Sequence, residues 1–301
     1  MNNFIPSIDY VSIKTNDVNF LEQLISFLSG RMPVPTAYGW FHLIGIALII
    51  IACVLAFRFS QKIDEKKMNL ILGITAAVMV VLEIYKQLTY SYNATTDTWD
   101  YQWYVFPFQF CATPMYTLMI IPFLKEGKFK NSLYSYLATY GLFGGLVVIL
   151  YPTDIFTIVI GVNIHGLAHH GAMAAIGIIL YGTGRVELSH KTILRALPVF
   201  ATFLSVAMIG NILYGELLLP ITGETCNLFF ISPYFPCTLP VLNMFYGKVP
   251  YLVFLLIYVI GFTAAAYIMS LLAMGINKLY KLIREKLLPK QKEKITTEPT
   301  V

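Results

Sequence analysis

Seven stretches of the chain are apolar almost without interruption, at roughly 37–57, 68–90, 103–124, 131–151, 155–181, 192–219 and 249–276. Each approaches or exceeds the roughly 20 residues that a helix, rising about 1.5 Å per residue, needs to cross about 30 Å of hydrocarbon. None shows the ten-residue alternation of a membrane β-strand, and only helices or closed barrels satisfy their backbone hydrogen bonds in lipid. The pattern predicts an all-α polytopic membrane protein, a bundle of about seven transmembrane helices. Three regions follow: an extracytoplasmic segment 1–36 with a short interfacial helix over 18–29 (VNFLEQLISFLS), a transmembrane domain 37–276, and a basic cytoplasmic tail 277–301. The first span follows mixed residues and runs into a basic loop, so it does not read as a cleaved signal peptide.

Composition agrees. Of the 301 residues, 57% are hydrophobic and 12% charged, against about 25% charged in a soluble domain. The net charge of +5 is not gathered on one soluble face, and four cysteines are too few to staple a secreted scaffold. Nucleic acid is therefore not expected as a partner, and membrane lipids are. Loop charge orients the bundle, because basic residues are held on the cytoplasmic side. Seventeen of the 21 lie in one set of loops, around 58–67, 125–130 and 185–195 and after 277, and three (Lys14, Arg31, Lys248) in the alternate set. Lys86 falls inside a span. The expectation is a multi-pass protein of the cell membrane, N-terminus outside and C-terminus inside, with Lys278, Lys281, Arg284 and Lys286 at anionic headgroups and a disordered tail after Leu288.

Ionisable residues inside spans are costly and point to function. Span two holds Glu83 and Lys86 in LEIYKQL, three apart on one helical face. Span three holds Gln109, Cys111 and Thr113 in FPFQFCATP; span five holds Asn163, His165, His169 and His170 in NIHGLAHHG; span six holds Asn211 and Glu216 in GNILYGELL. Counted from the outer ends, Glu83, Cys111, His165 and Asn211 all fall roughly 10–15 Å deep. A shared depth suggests a polar cavity open toward the outer leaflet.

Within that layer Cys111 is the candidate nucleophile, since a nearby base or positive charge favours a thiolate. His165 and His169, at i and i+4, share a face and can supply the base, and Glu83 can orient the imidazolium. Gln109, Thr113 and Asn211 are candidate oxyanion donors, and Lys86 and His170 further substrate-binding residues. The competing reading of His165 and His169 is metal ligation or interhelical hydrogen bonding; that of Glu83 and Lys86 is a structural ion pair. Five histidines are too few for a membrane di-iron site, and nucleotide, dinucleotide and zinc-protease fingerprints are absent, so no metal or cofactor is assigned. Cys226 and Cys237 share the long outer loop and could form a disulfide; Cys53 reads as packing. Gly141, Gly145, Gly161, Gly166, Gly171 and Gly177 suit close helix contact, and Pro107, Pro114 and Pro122 predict breaks in span three.

The motifs LEIYKQL, FPFQFCATP, HGLAHHG and GNILYG, with the proline- and tyrosine-rich outer loop leading into YGKVPYLVF, together resemble the YwaF-type integral membrane proteins. That bacterial family is related to a eukaryotic branch of ether-phospholipid acyltransferases. The resemblance implies a seven-helix bundle and acyl transfer between glycerophospholipids, with Cys111 as acyl-accepting nucleophile, His165 or His169 as base, and a phospholipid or lysolipid as substrate. Two other classes remain open on the residues alone: a transporter, receptor or sensor with a polar intramembrane site, and a metal-dependent membrane hydrolase.

Overall fold

In a computed structural model the described residues are 19–287. Asn19 begins α1 (Phe20–Leu28): its side chain accepts from the Glu22 backbone N–H while Glu22 reaches back to the Asn19 N–H, satisfying two otherwise orphan donors. There follow α2 (Trp40–Ser60), α3 (Glu65–Ser91, capped by Asp64) and a small hairpin of β1 (Tyr92–Asn93) and β2 (Thr98–Trp99), with Tyr92 opposite Trp99. After α4 (Thr113–Ile120) come α5 (Lys128–Leu150), α6 (Ile160–Gly182), α7 (Lys191–Thr222) and α8 (Tyr251–Leu287). Both α5 and α7 carry a π-helical turn, at Leu137–Gly141 and Tyr214–Leu218. The tail after Leu288, expected to be disordered, lies outside the described residues.

Six of these helices (α2, α3, α5, α6, α7 and α8) are long and apolar enough to cross a membrane. The third expected span is different. Residues 103–109 hold one 3-10 turn (Trp103–Val105) and otherwise irregular backbone, and the longer helical part is short: α4 between 3-10 turns at Phe110–Ala112 and Ile121–Phe123. The prolines explain the form but do not act as interior breaks. Pro114 sits in the first turn of α4 and Pro122 in the first turn of the following 3-10 segment, where a missing N–H leaves no helical bond unmade. The chain still crosses the bundle here, because Lys130, just beyond this segment, is paired with Glu65 at the start of α3.

That pairing belongs to a cluster joining three loops. The Lys130 ammonium lies 2.8 Å from Glu65 and 2.6 Å from Glu126, and Arg185 lies 3.0 Å from Glu65. These are loops the charge pattern assigns to one side. At the other end, Trp99 Nε1 donates to Glu22 at 2.9 Å, Met32 N to the Ile158 carbonyl at 2.8 Å, and Trp103 N to Glu224 at 3.1 Å. The alternate loops thus also meet one another, as alternating passes require.

At the centre, α6 packs against α2, α3 and the second half of α5, while the first half of α5 packs against α7. Gly145 sets the closest approach: a Cβ there would stand 2.7 Å from the His170 carbonyl oxygen, so the backbones of α5 and α6 touch at the level of the histidines. Gly161, Gly171 and Gly177 likewise admit Tyr85, Ile49 and Leu142. An aromatic stack ties α5, α7 and α8 together, with ring centroids 4.5 Å apart for Tyr140–Phe200 and 4.4 Å for Tyr258–Phe262. All but Phe262 are fully buried.

Candidate functional site

The polar residues of α3 share one face because they stand three and four apart. Glu83 Oε1 receives the Lys86 ammonium at 2.8 Å and the Gln87 side-chain amide at 2.7 Å. Gln87 also donates to the Val105 carbonyl at 2.6 Å and accepts from the Tyr101 hydroxyl at 3.0 Å, tying the cluster to the irregular segment before α4. The other carboxylate oxygen, Oε2, faces His165 Nε2 of α6 at 3.5 Å without hydrogen-bond geometry. One turn on, His169 lies beside His165 with ring centroids 5.4 Å apart and the planes tilted by 54°.

His169 makes the link to Cys111. Its Nε2 lies 2.9 Å from the Cys111 carbonyl oxygen; a carbonyl only accepts, so Nε2 carries the hydrogen and Nδ1 keeps a lone pair. That Nδ1 is buried and has no hydrogen-bond partner, and neither has His165 Nε2. Glu83, His165 and His169 are all buried, and one ligand atom of each lies within 4.8 Å of the others, so the trio has the composition and spacing to hold a metal ion.

Sequence comparison turns on the region containing this cluster. Residues 35–274, about four-fifths of the chain, match the model of the TMEM164 family. The chain belongs to the TMEM164 family. No curated protein and no solved structure matches it. The matched region runs from just before α2 into α8 and includes the whole polar cluster. Together with the apolar helices, membership makes this a multi-pass transmembrane protein.

Of the residues singled out from the sequence of this TMEM164-family protein, Glu83, Lys86, His165 and His169 come together, and Cys111 joins them through its backbone. The thiol itself makes no hydrogen bond to a histidine. His170 points elsewhere: Nδ1 donates to the Gly166 carbonyl one turn earlier at 2.7 Å. Thr113 bonds the Phe110 carbonyl at 2.7 Å and the Tyr136 hydroxyl.

The expected oxyanion donors Gln109 and Asn211 are engaged by backbone groups of the outer loop. Asn211 makes a two-way pair with the Leu228 backbone, donating at 2.9 Å and accepting at 2.8 Å. Gln109 donates to the Asn227 carbonyl at 3.0 Å and accepts from the Phe229 N–H at 2.9 Å. Asn227, which sequence reasoning did not single out, accepts from Ser232 N at 2.8 Å and donates to the Pro236 carbonyl at 3.0 Å. These amides hold the outer loop where Phe229 and Phe230 adopt φ of 57° and 58°, a left-handed backbone that side chains disfavour. Asn163 does the same for Thr157.

Cys226 and Cys237 are free, buried thiols and not the disulfide their shared loop allowed. Each is immersed in apolar surroundings, and desolvation raises both thiols, Cys226 to about 11. Cys53 is also a free thiol, packed beside Leu142, Ile149 and Ala174. Gln87 is the cluster residue the sequence reading missed; its position four residues after Glu83, on the same face, was the available signal.

Proposed function

We propose that this TMEM164-family protein is a thiol-dependent lipid acyltransferase, or acyl hydrolase, of the cell membrane. The observation that carries the reading is the His169–Cys111 contact, which holds the turn bearing the thiol against the buried Glu83–His165–His169 cluster. The resemblance to YwaF-type proteins and their eukaryotic acyltransferase relatives supports the same chemistry. The Cys111 sulfur attacks the ester carbonyl of a phospholipid while the thiol proton passes to a free imidazole nitrogen of His165 or His169. The carbon–oxygen bond of the ester breaks, the lysolipid oxygen takes that proton, and an acyl-thioester remains. A lysolipid hydroxyl or water then attacks the thioester and returns the thiol.

Glu83 balances the imidazolium charge in this scheme, and Lys86, whose ammonium has donors beyond its bond to Glu83, stabilises the oxyanion. The excess of basic residues in one set of loops supports a bundle with its N-terminus outside. Incubation of the purified protein with acyl-labelled phospholipid tests the reading: a hydroxylamine-sensitive label is expected on the wild type and absent from Cys111→Ala. No label, or label indifferent to Cys111→Ala, sinks it.

A further inference from the structure

We infer that Glu83, His165 and His169 form a binding site for a divalent cation of the zinc class, and that its occupancy switches off the thiol chemistry. The first half stands on geometry alone; the second rests on the acyl-transfer reading.

Two imidazoles and one carboxylate, contributed by helices α3 and α6, bring a ligand atom each to within 4.8 Å of one another. The side chains are at most 9% exposed. His165 Nε2 and His169 Nδ1 are buried nitrogens with no hydrogen-bond partner. Buried polar atoms are rarely left so, because the lost water is not replaced, and two in one cluster call for a ligand that both can reach. The second nitrogen of His169 is anchored on the Cys111 carbonyl, the support that orients a metal-binding histidine and fixes its tautomer.

The donor set selects the ion. Nitrogen ligands with a single carboxylate suit zinc, whereas calcium and magnesium require mostly oxygen. Three protein ligands leave a fourth position open. Around an ion with bonds of about 2.0–2.1 Å, tetrahedral edges are about 3.4 Å. The Glu83–His165 edge, at 3.5 Å, already has that length, and no edge exceeds 4.8 Å, within about 1.4 Å of the tetrahedral value. Lys86 is the competing cation: with Gln87 it occupies Glu83 Oε1 and leaves Oε2 turned toward His165. A bound ion consumes the nitrogen lone pairs that would otherwise take up the Cys111 proton, so metal occupancy and acyl transfer exclude each other.

The test uses the full chain in detergent, stripped with chelator and then loaded with Zn²⁺ or with Co²⁺ as a spectroscopic probe. About one ion per chain after gel filtration, with a tetrahedral Co²⁺ absorption band, is expected. Glu83→Gln and His169→Asn should each weaken binding by at least about tenfold, and Lys86→Met should tighten it. A wild-type protein that gives no Co²⁺ band and retains under about a tenth of an ion per chain overturns the site without reliance on any variant. So does unchanged binding in a folded His165→Asn/His169→Asn double variant. In the second arm, loss of phospholipid-derived label from Cys111 on zinc loading, with recovery in chelator, supports the switch; label undiminished by stoichiometric zinc overturns it. Zinc bound at one per chain with no label in either state defeats the acyl-transfer reading, and the switch with it, while the cation site stands.

Discussion

Helices α2 and α6 teach opposite lessons about where polarity belongs. Of the six membrane-crossing helices, α2 is the most apolar and the least enclosed, whereas α6 is the least apolar and about two-thirds buried. The few residues that α2 does bury are His42, Gly45 and Ser60; Leu43, Ile44, Leu48, Ile50, Ile51 and Leu55 face outward, and Ile46 and Ile49 are only half-buried against α6. In α6 the buried positions include Asn163, His165, His169 and His170 with four glycines among them. Water would enforce the reverse. Lipid solvates apolar side chains as well as a protein core does, so close packing and hydrogen bonding select the interior, and small and polar residues supply both.

The contrast can be broken most forcefully at Gly145. Valine there meets the backbone of α6 and should cost about 3 kcal/mol or more, seen as loss of a monodisperse species on gel filtration. Gly73→Ala on α3, where a Cβ meets nothing within 4 Å, should leave thermal unfolding unchanged or slightly raised. Next in size, Leu72→Ala in the fully buried core of α3 should destabilise by about 2–5 kcal/mol. Leu48→Ala on the outward face of α2 should cost well under that, and equal effects in a thermal melt would refute the inside-out arrangement. Asn211→Ala leaves the Leu228 N–H unpaired and its carbonyl with the Ile231 N–H alone, and should cost about 1–3 kcal/mol, with faster proteolysis of the outer loop around 223–240.

The smallest effect is at the periphery. Glu22 is held below the ordinary carboxylate range, first by the Trp99 indole N–H and then by the Asn19 backbone N–H. The docking of α1 on the hairpin is therefore complete above about pH 4–5 and fades as pH falls through the depressed value. A red shift of Trp99 fluorescence on acidification, absent in Glu22→Gln, reports it.

The long spans were legible in the sequence because hydropathy over about 20 residues is a direct reading of membrane thickness. So was the meeting of Glu83 with His165 and His169, since helices convert residue count into distance. Direction was not. Counting residues assigns Asn211 the same depth as Glu83 and His165, yet Asn211 turns to a loop whose approach no periodicity announces, and Gln109 turns to the same loop. The Cys111 turn illustrates the limit: a 3-10 segment presents its carbonyl to His169, a geometry with no sequence period of its own. The third span misled for a related reason. Its composition is apolar enough to cross, but its regular part, Phe110–Phe123, is only 14 residues long.

That short pass bears on how the protein is made. Fourteen helical residues reach about 21 Å, less than the hydrocarbon thickness, and the irregular backbone before them is tolerated at membrane depth only when covered by protein. Its cover comes from α3 on one side and from α7 and the outer loop on the other, of which the last two are synthesised later. The segment therefore cannot be a stable independent client of the insertion machinery. Its backbone is fully covered only once α7 and the outer loop have joined α3 around it.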